Sequence, residues 1–383
     1  MIEFLKGLTQ LHNLFYSVLW FVVILTVLVF VHEFGHYIIA RWNRVRIEVF
    51  SIGFGPELFG WWDRAGTRWK FSVIPLGGYV KMFGDSDATS GLPTPGLSRL
   101  SEVERGVSFH YKRLGQRAAI VAAGPAANFI FAIVALALLF MTYGQPFTPA
   151  EVGQVQPGSA AEQGGIHPGD VIVQIDGRAV HRFEDVQQAV RLNPNVPMKI
   201  VVRRDGQEQT LNVTPNRTEL TDRFGNHYEI GLLGIARSGM EYVKRDPATA
   251  IEQAGAETWN LTAGTLQAMW QIVIGTRATD ELGGPLRIAQ MSGEVAQGGV
   301  VAVLWFMAVL SINLGLINLF PVPILDGGHL LFYAAEALRG KPLGQRAQEY
   351  GFRIGLALVL TLMVFATWND LVHLGIGNLF KAL

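Results

Sequence analysis

His32, Glu33 and His36 stand in the order His-Glu-Phe-Gly-His. Two imidazoles at i and i+4 face one way on a helix, so the pair can grip one zinc ion while the glutamate beside them polarises its bound water. In a soluble chain this short pattern arises by chance and decides little. Here it follows Leu14 to Val31, an uncharged, mostly apolar run. Roughly 20 residues make a spanning helix, so that run is long enough to cross a bilayer. A charged group at the bilayer centre costs at least about 2.5–3.5 kcal/mol on insertion scales, so ionisable residues there usually face a protein-lined cavity and serve a function. The spacing predicts a metal site on His32 and His36, with a third ligand elsewhere.

A second polar motif closes another apolar run. Val300 to Phe320 reads as a span with Asn313 and Asn318 as its polar members, and ends in Pro321-Val322-Pro323-Ile324-Leu325-Asp326-Gly327-Gly328-His329. At 1.5 Å per residue His32 lies about 27 Å along its helix from Leu14, and Phe320 about 30 Å from Val300. If both helices run the same way, the motifs reach similar depth, and Asp326 becomes the leading third ligand. Two imidazoles plus a carboxylate, with one position open, is a known catalytic zinc set. Pro321 and Pro323 would break the helix and free backbone groups that only a protein-lined wet cavity tolerates. Gly327 and Gly328 would let the chain turn closely around the ion. His329 is the rival ligand, with a supporting or structural role favoured because it lies three residues further on. Asn318 either hydrogen-bonds a substrate carbonyl or its oxyanion, or is a packing amide.

The elements that must position these residues follow from composition and charge. Half of the 383 residues are hydrophobic, 16% are charged, and the mean hydropathy is +0.28. These values fit a polytopic membrane protein with a sizeable soluble part. Net charge is zero, which argues against a nucleic-acid partner. With no cysteine there is no disulfide or thiolate metal site. The first apolar run is too long for a signal-peptide core and reads as a retained anchor. Further spans are expected at Ala118 to Met141 and at Ile354 to Trp368; in the first, Gly124-Pro125-Ala126-Ala127-Asn128 suits a kink and helix packing, with contact between Asn128 and the active site as the lesser alternative. Residues 41–117 hold twelve Lys/Arg against seven Asp/Glu, which places that side in the cytoplasm and both chain ends outside.

Between the first two spans, Trp69 to Ile74 and Tyr79 to Phe83 read as strands flanking a turn at Pro75-Leu76-Gly77-Gly78. This hairpin, 69–83, either packs on its own core or dips into the membrane beside the metal. The expected organisation is an N-terminal membrane half at 1–144, a soluble domain at 145–240, an extracytoplasmic helical linker at 241–299 and a C-terminal membrane half at 300–383. The soluble part has a strand at Val152 to Val155, another at Val171 to Asp176, a helix bearing Phe183, Val186 and Val190, and a hairpin around Asp205-Gly206. In the linker Ile251, Trp259, Leu266, Trp270 and Val273 suggest an amphipathic helix on the outer membrane surface or one covering the soluble domain.

The stretch EVGQVQPGSAAEQGGIHPGDVIVQIDGRAV resembles a PDZ domain of the bacterial protease-associated type. HEFGH at 32–36, FSIGFGPELF at 50–59, IPLGGYVKMFG at 74–84, GQRAAIVAAGPAANF at 115–129 and NLGLINLFPVPILDGGHLLF at 313–332 together resemble the site-2 protease family of intramembrane zinc metalloproteases. The similarity is greatest to its bacterial sigma-E-pathway, RseP-like branch. That resemblance implies a four-span helical membrane protein with a re-entrant β-hairpin and an inserted extracytoplasmic PDZ domain, in a bacterial inner membrane with the active site near the cytoplasmic side. It implies zinc on His32, His36 and Asp326, Glu33 as general base, and substrate contacts that include Asn318, Pro323, Gly77, Gly78 and Tyr79. The partners implied are membrane lipid and the transmembrane helices of single-pass proteins, such as anti-sigma factors or remnant signal peptides. Members of that branch often carry two tandem PDZ domains; one is found here. Two other readings use the same residues, a metal transporter and a catalytically inactive PDZ-bearing adaptor.

Overall fold

The computed structural model describes residues 2–84, 100–180, 182–221, 227–239, 241–275 and 283–373. Two short parts of the expected soluble domain and linker, 222–226 and 276–282, lie outside them. By internal contacts the chain divides into two units: Met1–Leu138 with Ala250–Trp270 and Thr279–Leu383, and Leu139–Thr249 with Gln271–Ala278. Among the described residues, four stretches of helix are long and apolar enough to cross a membrane: Asn13–Trp42, Leu114–Thr142, Gly299–Asn318 and Arg346–Val372.

The first unit begins with α1 (Ile2–Trp42), which carries the His-Glu-Phe-Gly-His motif without interruption. Its many β-branched residues are poor helix formers in water. In hydrocarbon every backbone group must be satisfied within the segment, and that requirement overrides propensity. Strands β1 (Ile47–Trp62) and β2 (Arg68–Met82) follow. Next come α2 (Glu102–Val107), opened by a Ser101–Glu104 capping box, and α3 (Leu114–Thr142), with Pro125 inside it.

The expected turn at Pro75–Gly78 is corrected by the structure. Those residues lie within β2, and the hairpin turns at Asp63–Thr67, where Asp63 Oδ1 accepts from the Ala65 and Thr67 amides at 2.8 and 2.9 Å. Both strands then bend. Phe50 opposes Val80 in one register and Trp69 in another, while Trp62 opposes Arg68. Gly53 (φ 89°), Gly55 (φ 87°) and Gly77 (φ 129°) supply the bends, since only glycine holds such angles without strain. The Pro-Leu-Gly-Gly signal therefore marked a bend in a strand rather than its end. The sheet seals the motif-bearing end of α1: Ala40, Val45, Ile47, Phe50, Val80, Met82, Phe109 and Ile120 form one buried cluster.

The second unit holds β3 (Gln145–Phe147), β4 (Val152–Val155), α4 (Ala160–Gln163), β5 (Val171–Ile175), β6 (Arg178–Ala179), α5 (Phe183–Arg191), β7 (Met198–Arg204), β8 (Gln207–Val213), β9 (Asn216–Thr221), β10 (His227–Leu232), β11 (Ile235–Arg237) and β12 (Glu241–Val243). The order β6-β5-β7-β8 makes its largest sheet, β11 pairs with β4, and β10 with β9. Val152, Ile172, Val186, Ile200 and Val213 lie in its core.

Most of α6 (Pro247–Val273) belongs to the first unit, which continues with α7 (Pro285–Gln297), α8 (Gly299–Asn318), α9 (Asp326–Arg339) and α10 (Gln345–His373). On α6 the expected apolar face, Ile251, Trp259, Leu266, Trp270 and Val273, is exposed. α7 is packed against α1, so closely that a Cβ on Gly293 would stand 2.0 Å from Ser17 Oγ. Buried Asp370 of α10 accepts from the Gly284, Leu286 and Arg287 amides at 2.8, 3.0 and 3.1 Å, satisfying donors that a helix start leaves open. α10 is longer than the expected Ile354–Trp368 span because its first turns carry Arg346, Glu349 and Arg353, charged residues that extend the helix beyond the apolar run.

One ion pair anchors the second unit. Buried Asp170 accepts from Arg204 Nε and Nη2, both at 2.7 Å, and from the His167 amide at 2.8 Å. Desolvation pushes the Asp170 carboxyl up, but the Arg204 and His167 contacts outweigh it and hold it below the usual carboxylate range. A carboxylate so lowered stabilises the fold at neutral pH, and that stabilisation is lost as pH falls below about 4 toward its folded value. Asp170→Asn is therefore expected to cost about 1–3 kcal/mol at pH 7, the range for leaving a buried partner unsatisfied, and to flatten the acid loss. Hydrogen exchange of the Val171–Ile175 amides at pH 7 reads the first effect, and acid unfolding followed from pH 4 downward reads the second; equal protection at pH 7 with an equal acid loss in the two proteins contradicts the assignment.

Candidate metal centre

His32 and His36 reach their place because α1 and α3 approach where neither carries bulk. A Cβ built on Gly35 would stand 2.3 Å from the Ala123 carbonyl oxygen. One built on Gly124 would stand 2.2 Å from His36 Nε2 and 2.9 Å from His32 Cε1. The space beside Gly124 is thus the space the two imidazoles occupy. The small residues of α3, expected to serve helix packing, also make room for the site.

Asp326 arrives from the other side as the first residue of α9. Gly327 and Gly328 are required by close backbone packing at that helix start. They sit inside the first turn of α9, and a Cβ on them would stand 2.2 Å from the Leu319 oxygen and 2.3 Å from the Val322 oxygen. They permit the Leu319–Pro323 backbone to fold back on the helix start that carries Asp326.

His32 Nε2 lies 3.2 Å from His36 Nε2 and 3.1 Å from Asp326 Oδ2, and His36 Nε2 lies 3.5 Å from Asp326 Oδ2. Donors about 2.0–2.1 Å from one tetrahedral zinc stand about 3.3–3.4 Å apart, so the triangle has the size that ion requires. Asp326 Oδ2 is buried and faces the two Nε2 atoms. His36 Nδ1 stands 2.8 Å from the Ile120 carbonyl oxygen. A carbonyl only accepts, so Nδ1 carries the proton and neutral His36 presents Nε2 as a lone pair. The donor set and its spacing fit a zinc ion.

The three side chains open onto a cavity of about 370 Å³ that is also lined by Glu33, Gly78, Tyr79, Val80, Asn318 and His329. Of the expected substrate contacts, Gly78, Tyr79 and Asn318 reach this cavity and Gly77 and Pro323 do not. Gly77 faces the Phe54 ring, and Pro323 packs where Gly351 and Gly355 of α10 leave room. Position in a motif does not decide the side that a bend glycine or a loop proline faces. His329 sits against the Phe352 ring at 5.4 Å and is not one of the three converging ligand atoms.

Two residues whose favoured sequence reading is packing or a basic flank stand beside the site. Asn128, fully buried on α3, stands 3.1 Å from His32 Nδ1, and Ser311 Oγ donates to its backbone oxygen at 2.9 Å. Arg117 Nη2 donates to Glu336 Oε1 at 2.6 Å and stacks over Tyr333 at 4.9 Å, tying the start of α3 to the helix that begins with Asp326. An intramembrane amide and an arginine at a helix start were the available signals, and both have common uses in packing and in basic flanks.

Gly124→Ala puts a methyl group where His36 Nε2 lies, so at least one imidazole must leave the triangle. Metal affinity is expected to fall at least about tenfold, the scale seen when the support of a metal ligand is lost. Competition with a chelator measures it; undiminished affinity would show that the glycine does not shape the site.

Residues 20–362 match the model of peptidase family M50. A Rhizobium meliloti (strain 1021) protein bearing a zinc-metalloprotease name is 49% identical over 368 residues, 94% of this chain and 98% of that protein. Metalloprotease MmpA of Caulobacter vibrioides is 38% identical over 384 residues, 93% of this chain and 96% of that protein. The PDZ domain of an SdrC-like protein from Listeria innocua aligns at 18% identity over 24% of this chain and 98% of that one, with a TM-score of 0.20. The long match and the well-covered relatives make one conclusion plain: the chain belongs to peptidase family M50, the site-2 protease family of zinc metalloproteases.

Proposed function

We propose that this membrane protein hydrolyses peptide bonds within the transmembrane segments of single-pass proteins. The observation that carries the proposal is the convergence of His32, His36 and Asp326 on one cavity that Glu33 also lines. These three residues would hold zinc, with Glu33 beside them as general base. Zinc bound there supplies Lewis-acid polarisation of the scissile carbonyl and makes water a nucleophile at neutral pH. Glu33 takes a proton from the attacking water and delivers it to the leaving amine. Asn318, at the cavity wall, donates its amide to the developing oxyanion.

A membrane helix hides its peptide bonds in i to i−4 hydrogen bonds and must unwind before attack. The segment Gly78–Met82 supports that step. It pairs with Ile47–Ile52 along one edge, its other edge has no strand among the described pairings, and Gly78, Tyr79, Val80 and Met82 line the cavity. An unwound substrate can add there as a further strand. Read as a re-entrant element, this sheet would meet the substrate at membrane depth. In the second unit a groove of about 240 Å³ runs between α5 and Ile230–Ile235, lined by Phe183, Val186 and Val190. Its shape suits a PDZ-type role in receiving an extended peptide end or excluding substrates with bulky ectodomains. The basic excess of residues 41–117 supports an inner-membrane topology with the metal near the cytoplasmic side and the second unit outside.

A metal transporter would line a path through several spans with polar groups, whereas here the three ligands gather at one place. A catalytically inactive adaptor has no use for Glu33 beside the ligands. Glu33→Gln separates the readings. It is expected to keep its zinc and to lose about 10²–10⁴-fold in cleavage of a purified single-helix membrane substrate, the usual contribution of a general base. Cleavage at the unmutated rate with zinc in place would refute the assigned role.

A further inference from the structure

Asn128 is wholly buried and carries a side-chain oxygen, Oδ1, with no hydrogen-bond partner. Its other terminal atom, Nδ2, stands 3.1 Å from His32 Nδ1. In that arrangement the amide donates to Nδ1, so neutral His32 must carry its proton on Nε2, the atom turned toward His36 Nε2 and Asp326 Oδ2. A protonated Nε2 cannot ligate. Half a turn of the amide exchanges oxygen and nitrogen without moving the rest of the residue. Oδ1 then accepts from His32 Nδ1–H, and Nε2 becomes a bare lone pair. His36 already has this arrangement, with its Nδ1–H given to the Ile120 carbonyl. Both acceptors lie on α3, two helical turns apart in sequence.

We infer that Asn128 is a positioning residue for the metal centre: its amide oxygen accepts the His32 Nδ1–H and holds that imidazole in the tautomer whose Nε2 is free to bind zinc. The inference rests on the zinc reading of the preceding section and adds a residue to it. An acceptor of this kind fixes ring orientation and raises ligand basicity, and its loss typically costs 10–100-fold in metal affinity. Ser311, by holding the Asn128 backbone oxygen from α8, steadies the helix that carries the acceptor.

The test compares zinc dissociation constants of the full-length protein with those of Asn128→Ala and Asn128→Asp, by competition with a chelator. Asn128→Ala is expected to weaken binding 10–100-fold. Asn128→Asp, which keeps an acceptor at the same place, is expected to stay within a few-fold of the unmutated protein. Equal affinity of Asn128→Ala and the unmutated protein overturns the inference, as does an Asn128→Asp loss as large as that of Asn128→Ala. Failure of the unmutated protein to bind zinc refutes the metal reading itself. Nitrogen NMR of ¹⁵N-histidine in the unmutated zinc protein needs no variant to fold. A His32 signal protonated at Nδ1 supports the inference, and one protonated at Nε2 overturns it.

Discussion

Three electron-rich atoms are held within 4.8 Å of one another inside a largely apolar unit. Lone pairs so placed repel one another. A cation at their centre turns the arrangement from a cost into a bond. The remainder of the first unit keeps these atoms together despite that repulsion. α1 supplies the two imidazoles on one face, α3 closes behind them, and α9 brings the carboxylate with its helix N-terminus, where a negative charge is favoured.

Absence of side chains is as important to this site as the ligands. Gly124 leaves the volume the imidazoles fill, Gly35 lets the helices approach, and Gly327 and Gly328 let a proline-rich loop lie against its own helix. Around these contacts, Asn128, the Ile120 carbonyl and the Arg117–Glu336 pair turn a crossing of helices into a fixed geometry. The bent sheet completes the arrangement, with one edge segment bonded into the fold and its other edge turned to the same cavity as Glu33.

The sequence showed the ligand motifs clearly because two constraints coincide in them. A helical spacing of four and an apolar setting are both visible in one stretch of chain, and matching depth along two helices linked Asp326 to the histidines. The strand and helix periods of the second unit were equally readable at Val152–Val155, Val171–Ile175 and Phe183–Arg191. The sheet was harder. Pro75 and the two glycines after it carry the chemistry of a turn, yet β2 continues through them, because glycine serves a bend in a strand as well as the end of one. Asn128 was ambiguous for another reason. Buried amides join helices in many membrane proteins, and only the distance to His32 tells a packing amide from one that sets a ligand. Tertiary proximity of that kind leaves no periodic trace in the chain.

The central claim is that His32, His36 and Asp326 share one zinc ion. Anomalous scattering measured on either side of the zinc absorption edge, from crystals of the full-length protein, tests it most directly. A single peak bounded by the two Nε2 atoms and an Asp326 carboxylate oxygen is the predicted result. A peak lying elsewhere, or one bound by His329 in place of Asp326, would contradict the account.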